Sequence, residues 1–298
     1  AEEDPVDIWR DKSEQSETDS EIDEKPRVQS PILSKTFKST KIKIDEEQVD
    51  TYNNTIVGLF DPEENNFDLN MWTSSNGKDV KDILKRLNKL KLSQFSEDLM
   101  FRVLFTNSYP PQKNLSPDEF LDIKINWLIK NERVQDLEKV LKLNPEVGKK
   151  SQAISFLIEE YLSLADIKSA CRNASFIDKD LQDDYLDKFN IYCMLNEDRR
   201  EEAQLLFDLT KERGLKDSFF ENKINFLLGY NAEVTQKIRD DNLLNFYLSQ
   251  ITIKDFNYKP TAKTNKYIWK YLSSANLLTI ENLEDETIIE YEKAASEG

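Results

Sequence analysis

The amino-acid sequence predicts an all-α fold: an α-solenoid of antiparallel helix pairs, preceded by a disordered acidic tail. Three observations carry this. Four leucines near helix ends, Leu128, Leu162, Leu195 and Leu228, are spaced by 34, 33 and 33 residues, and a fixed period in this range marks stacked helical pairs. Apolar residues recur at helical spacing almost everywhere beyond residue 77. Glycine is scarce, 6 in 298 residues, while helix-start signals are frequent.

Residues 1–50 read as the tail. Ala1–Glu24 carry 11 acidic against 2 basic side chains, with too little apolar area to offset the entropy of ordering. Ile8–Trp9 is its one aromatic anchor, either incidental or a short docking motif. Residues 51–77 are rich in large apolar side chains but lack a long helical period, so they are expected to form an extended strap or linker along the first helices. A helical-repeat array is expected over 78–255. Its first helix presents Val80, Ile83, Leu84, Leu87 and Leu90 as one apolar stripe. A second runs from about Ser96 and is stopped by Pro110–Pro111. Ser116-Pro117-Asp118-Glu119 is a capping box with proline at the first helical position. That helix carries Trp127 and Leu128, and its partner runs from Val134 to Asn144-Pro145.

The helix from Ser151 shows Ile154, Leu157, Ile158, Tyr161 and Leu162, a broad core-facing pattern. A short helix from Ala165 through Cys171 follows. Asp178 is expected to cap the next, Gly214 to end its partner, and Asp217 to cap the one after. Leu243, Leu244, Tyr247 and Leu248 make another helix. Residues 256–265 interrupt the period as an insertion. Residues 266–298 then read as the array resuming, with Tyr271–Asn276 echoing Tyr161–Asp166 and a last helix near 284–295. The protein is expected to continue beyond Gly298.

Composition narrows the chemistry. The chain has no histidine, which removes Ser-His-Asp and Cys-His catalysis, His-ligated zinc and histidine pH sensing. A net charge of −16 argues against nucleic acid and anionic membranes as partners. No run of 18 apolar residues could span a bilayer, and there is no Gly-rich phosphate loop or calcium-loop spacing. Acidic doublets such as Asp183-Asp184 and Glu201-Glu202 are expected by chance among 57 acids and read as solvated helix faces. No catalytic, cofactor-binding or metal-binding residues are therefore expected. Trp127, Tyr161, Tyr192, Trp269 and Tyr271 fall at core spacing, with a groove lining as the alternative.

Paired helices at this period resemble tetratricopeptide-like repeats over Ser116–Gln250, with Ala170 and Ala203 matching the tight-packing alanines. The chain is similar to exported helical-repeat proteins of Gram-negative bacteria. The resemblance implies a non-catalytic scaffold that binds a protein or peptide in the periplasm. One alternative is the superhelical, non-catalytic region of a cell-wall lytic enzyme whose catalytic domain lies beyond residue 298; another is a cytoplasmic scaffold. The start at Ala1 rather than Met implies a removed export signal or a trimmed chain.

Cys171 and Cys193 are the only cysteines, 22 residues apart. A bridge between them is expected in an exported chain, and two free buried thiols in a cytoplasmic one. The bridge argument requires residues 172–177 to be extended, so that they cover the same height as the longer helix after Asp178. Thiol labelling of denatured, non-reduced protein from its native compartment is expected to find no reactive thiol. Two per chain would defeat the bridge and weaken the periplasmic expectation.

Overall fold

The computed structural model describes residues 56–278 and residue 292. The predicted tail, its Ile8–Trp9 pair and the helix expected near 284–295 lie outside these residues, apart from position 292. Among the described residues there are eleven α-helices and no β-strand. They are α1 (Gly77–Leu87), α2 (Gln94–Phe105), α3 (Pro117–Lys130), α4 (Val134–Leu143), α5 (Ser151–Ser163), α6 (Ile167–Ala174), α7 (Asp184–Asn196), α8 (Arg200–Glu212), α9 (Ser218–Leu227), α10 (Leu243–Thr252) and α11 (Lys266–Ser274).

Side-chain caps set most of the starts. A helix leaves its first N–H groups without intrahelical acceptors, and a short polar side chain just before it supplies one. Ser116 accepts from the Glu119 N–H at 3.1 Å, and Glu119 accepts in return from the Ser116 N–H at 3.1 Å, completing the capping box. Asp217 caps α9 as the sequence predicts. Asp178 does not cap α7: that role falls to Asp183, which accepts from the Tyr185 and Leu186 N–H groups. Asp178 instead accepts from the Asp180 N–H at 2.9 Å and donates its own N–H to the Gly148 carbonyl. It closes a local turn, and α7 begins six residues after it.

The helix ends repeat. Glu132, Ala165 and Asp198, at 33-residue intervals, all have left-handed backbones, with φ of 50°, 58° and 60°. In each case the next N–H reaches back five residues: Arg133 to the Leu128 carbonyl, Asp166 to Tyr161 and Arg199 to Met194, at 2.9–3.0 Å. The left-handed residue donates three back. This two-bond closure is a Schellman motif. It recurs after α9 at Gly229 and after α11 at Asn276. The four periodic leucines lie in the last turns of α3, α5 and α7 and at the C-cap of α9. Leu128 and Leu162 are fully buried there.

Packing follows this spacing: α3 meets α4, α5 meets α6, and α7 meets α8. Helix α5 is the hub, touching α3, α4, α6, α7, α10 and α11. Its Ala153, Ile154, Leu157, Ile158 and Leu162 are wholly buried, each large side chain contributing about 1.5–3 kcal/mol of transfer free energy. The loop over 256–265 carries the chain back, so that α11 packs on α5 and α10. Lys270 of α11 reaches Glu160 of α5 at 3.1 Å. Tyr192 of α7 and Tyr247 of α10 share a 2.6 Å hydroxyl contact, and the Tyr247 and Tyr271 rings meet edge-on. Trp127, Tyr192, Trp269 and Tyr271 are buried in the core.

Residues 56–60 lie along α2 and α3. The Leu59 and Phe60 N–H groups donate to the Phe105 carbonyl, and Asn107 N–H donates to Phe60. The approach is close enough to need glycine: a Cβ on Gly58 would come within 2.8 Å of the Phe105 carbonyl oxygen and 2.5 Å of Asn107 Oδ1.

Cys171 of α6 and Cys193 of α7 lie at disulfide distance, with sulfurs 2.07 Å apart and Cα atoms 5.4 Å apart. Residues 172–177 are not extended, contrary to the sequence argument. Arg172–Ala174 remain helical and Ser175–Ile177 form a hydrogen-bonded turn. The argument measured from the wrong start. With Asp183 as the cap, Cys171 lies twelve residues before it and Cys193 ten after, so the pair is nearly symmetric about the connection.

The left-handed turns generate a paired prediction. An L-residue in this conformation costs about 1–2 kcal/mol that glycine escapes. Ala165 is exposed, so Ala165→Gly is expected to stabilise the chain by about 0.5–1 kcal/mol. Gly229→Ala meets no atom within 4 Å and is expected to destabilise by about 1 kcal/mol. Urea unfolding of both variants checks this, and shifts of the same sign would contradict it.

Candidate functional site

Among the hollows that indent the described surface, three differ in polarity. The first lies between α7, α8 and the 177–181 loop, about 560 Å³ in volume, with Leu181, Met194, Leu206 and Leu209 beside charged residues. Asp187 and Arg213 pair there at 2.8 Å. The second is a polar cleft of about 210 Å³ where α11 meets α5. Its Lys270 pairs with Glu160, and Lys266 lies 3.5 Å from Glu132. Burial raises the carboxyl of the neighbouring Glu159. Opposite charges face each other across this cleft, which suits a seam between helices.

The third hollow, about 400 Å³, is mostly apolar. Val80, Ile83, Leu84 and Leu87 of α1 face Met100 and Val103 of α2, and Trp72 lines the hollow beside them. The α1 positions follow helical spacing, so one face of the helix forms one wall. The sequence predicts this as one apolar stripe, and the structure buries only part of it. Val80 and Leu84 are buried, whereas Ile83 is 56% exposed. Leu90, 61% exposed, falls beyond the end of α1 and so leaves the stripe. Phe95 at 78% and Leu99 at 51% extend the apolar surface onto α2. Of the eleven large apolar side chains exposed among the described residues, four lie between residues 83 and 99.

Two buried lysines were missed in the sequence. Lys124 of α3 is 2% exposed, and its Nζ donates to the Val57 carbonyl at 2.7 Å, over the Phe120 ring. Lys223 of α9 is fully buried, and its Nζ donates to the Thr235 carbonyl at 2.9 Å and to Thr252 Oγ1 at 2.8 Å. Each holds a non-helical segment against a helix. They are 99 residues apart, three times the 33-residue spacing of the helix-end turns, with Leu157 and Asn190 at the intervening steps. Their signal in the sequence was a lysine beside apolar residues, Ile123-Lys124-Ile125 and Lys223-Ile224.

Cys171 and Cys193, the only site residues named from sequence, are brought together in the α6–α7 seam, away from the hollow on α1 and α2. Among the described residues no group of three or more His, Cys, Asp or Glu side chains could hold a metal ion. No described helix is long and apolar enough to cross a membrane. Comparison with known proteins finds no matching family model, no matching curated protein and no matching solved structure.

The lysines make stability depend on pH. Burial pushes the Lys124 amine down to about 7 and that of Lys223 to about 8, from an ordinary 10.5. Between those values the unfolded chain holds protons that the folded chain does not, so stability rises with pH. The gain is complete above about pH 10.5 and is lost as pH falls towards 7. Each lysine adds a slope of up to about 1.4 kcal/mol per pH unit. Urea unfolding at several pH values in this window is expected to show a smaller rise for Lys124→Met than for the unaltered chain. Equal slopes would contradict the assignment.

Proposed function

We propose that the chain is a non-catalytic helical-repeat scaffold, a tetratricopeptide-like solenoid of antiparallel helix pairs, that binds a protein partner in an oxidising compartment such as the bacterial periplasm. The observation that carries the binding reading is the apolar hollow on α1 and α2, lined by the exposed Ile83, with Phe95 and Leu99 also exposed on α2. Proteins rarely leave such a patch open without use, and amphipathic helices and peptides bind by filling hollows of this kind.

The repeated helix-end turn at 33-residue spacing and the pairwise packing of α3 to α8 support the solenoid reading. The cysteines at disulfide distance support an oxidising compartment. If the bridge forms, it closes a loop of 22 residues and contributes about 3 kcal/mol by chain entropy.

Affinity capture with the intact protein tests this reading when run beside the Ile83→Asp/Leu99→Asp variant. Both side chains are more than half exposed, so the melting temperature is expected to change little. A protein recovered with the unaltered chain and lost with the variant supports the reading. Equal recovery by both overturns it.

A further inference from the structure

The structure assigns the α1–α2 hollow to an acidic, amphipathic helical segment of a partner protein, its apolar side chains seated in the hollow and its carboxylates on the basic rim of α1. This rests on the scaffold reading and names the chemistry of the partner.

The rim is unlike the rest of the chain. Lys78, Lys81, Lys85, Arg86, Lys89 and Lys91 are all exposed, and only Asp79 and Asp82 oppose them between residues 77 and 93. That stretch carries +4 in a chain whose net charge is −16. Lys81 pairs with Glu119 at 3.2 Å. Lys78, Lys85 and Arg86 lie on the same helix as the apolar wall, and Lys89 and Lys91 follow just beyond its end. Apolar and basic residues therefore alternate around one helix, with the apolar face turned to the hollow. Among the residues lining the hollow Asp79 alone is charged, so a ligand that fills it would meet these cations at its flanks rather than inside.

The size fits a helix. From Val80 to Leu87 the wall runs about 10 Å at 1.5 Å per residue, the length of about two turns of a partner helix. Large apolar side chains at i, i+3 or i+4, and i+7 would meet it in register. An anionic membrane surface is the competing occupant for a basic amphipathic helix. The shape disfavours it: the apolar residues line a concavity walled by Met100 and Val103 of α2, whereas insertion into lipid needs a protruding face. The strong net negative charge of the chain opposes it as well.

The test uses the intact chain with defined probes. One is a fluorescent synthetic helix of roughly 12 residues, about three turns, with leucines at i, i+3, i+4 and i+7 and glutamates elsewhere. A second replaces each glutamate by lysine. The third is a vesicle of phosphatidylglycerol and phosphatidylcholine. Fluorescence anisotropy is expected to show the acidic helix binding at least about tenfold more tightly than the basic one, with affinity falling as salt rises from about 0.05 M to about 0.5 M. Ile83→Asp is expected to abolish binding. Lys85→Glu/Arg86→Glu, which leaves the apolar wall intact, is expected to weaken it by about tenfold. No saturable binding of the acidic helix, equal binding of the two helices, or vesicle binding lost through the same substitutions would overturn the inference. If capture in the preceding subsection still depends on Ile83 and Leu99 while the acidic helix fails, this inference falls and the scaffold reading stands. If capture fails as well, both fall.

Discussion

A single left-handed residue ends α3, α5 and α7 at a 33-residue interval, and the arrangement of the pairs depends on it. Helices of eight to fourteen residues are marginal alone and become stable only by burying an apolar face against a neighbour. At Glu132, Ala165 and Asp198 the turn closes the last carbonyls of one helix and starts the next within three or four residues. That short connection brings each helix against its predecessor. The positive φ at three non-glycine residues is a local cost that the packing on both sides outweighs.

From that spacing comes the uneven distribution of burial. Helix α5 sits between α3, α4, α6 and α7 and also receives α10 and α11, so its core face has no exposed edge. Helices near the start of the described chain have fewer neighbours. Lys124 holds residues 56–60 against α3, and Lys223 holds the segment at Thr235 against α9. These lysines give the buried carbonyls of irregular segments a donor where no helix or strand supplies one. Nothing comparable covers Ile83 and Leu99 among the described residues, and the apolar surface stays open there.

The helical class and most helix positions were legible in sequence because each core stripe ends on a leucine just before the turn. Caps with a single candidate, Ser116 and Asp217, were equally plain. The start of α7 was not, since Asp178, Asp180, Asp183 and Asp184 all offer a cap within seven residues and only tertiary contact with Gly148 decides among them. That misplacement also distorted the geometry argued for Cys171 and Cys193. The hollow on α1 and α2 was illegible for a different reason. Periodicity says that Val80, Ile83, Leu84 and Leu87 share a face, but not what covers it. A buried lysine is hidden likewise, because its head group finds a partner only in the folded chain.

The interior around α5 is closed, whereas the apolar edge on α1 and α2 is open. Hydrogen–deuterium exchange of the protein alone and with a captured partner tests that contrast most directly. The account predicts the slowest amides in α5, fast exchange in α1, and partner-induced slowing confined to α1 and α2. Exchange in α1 as slow as in α5 without the partner, or slowing centred on the α7–α8 hollow, would contradict it.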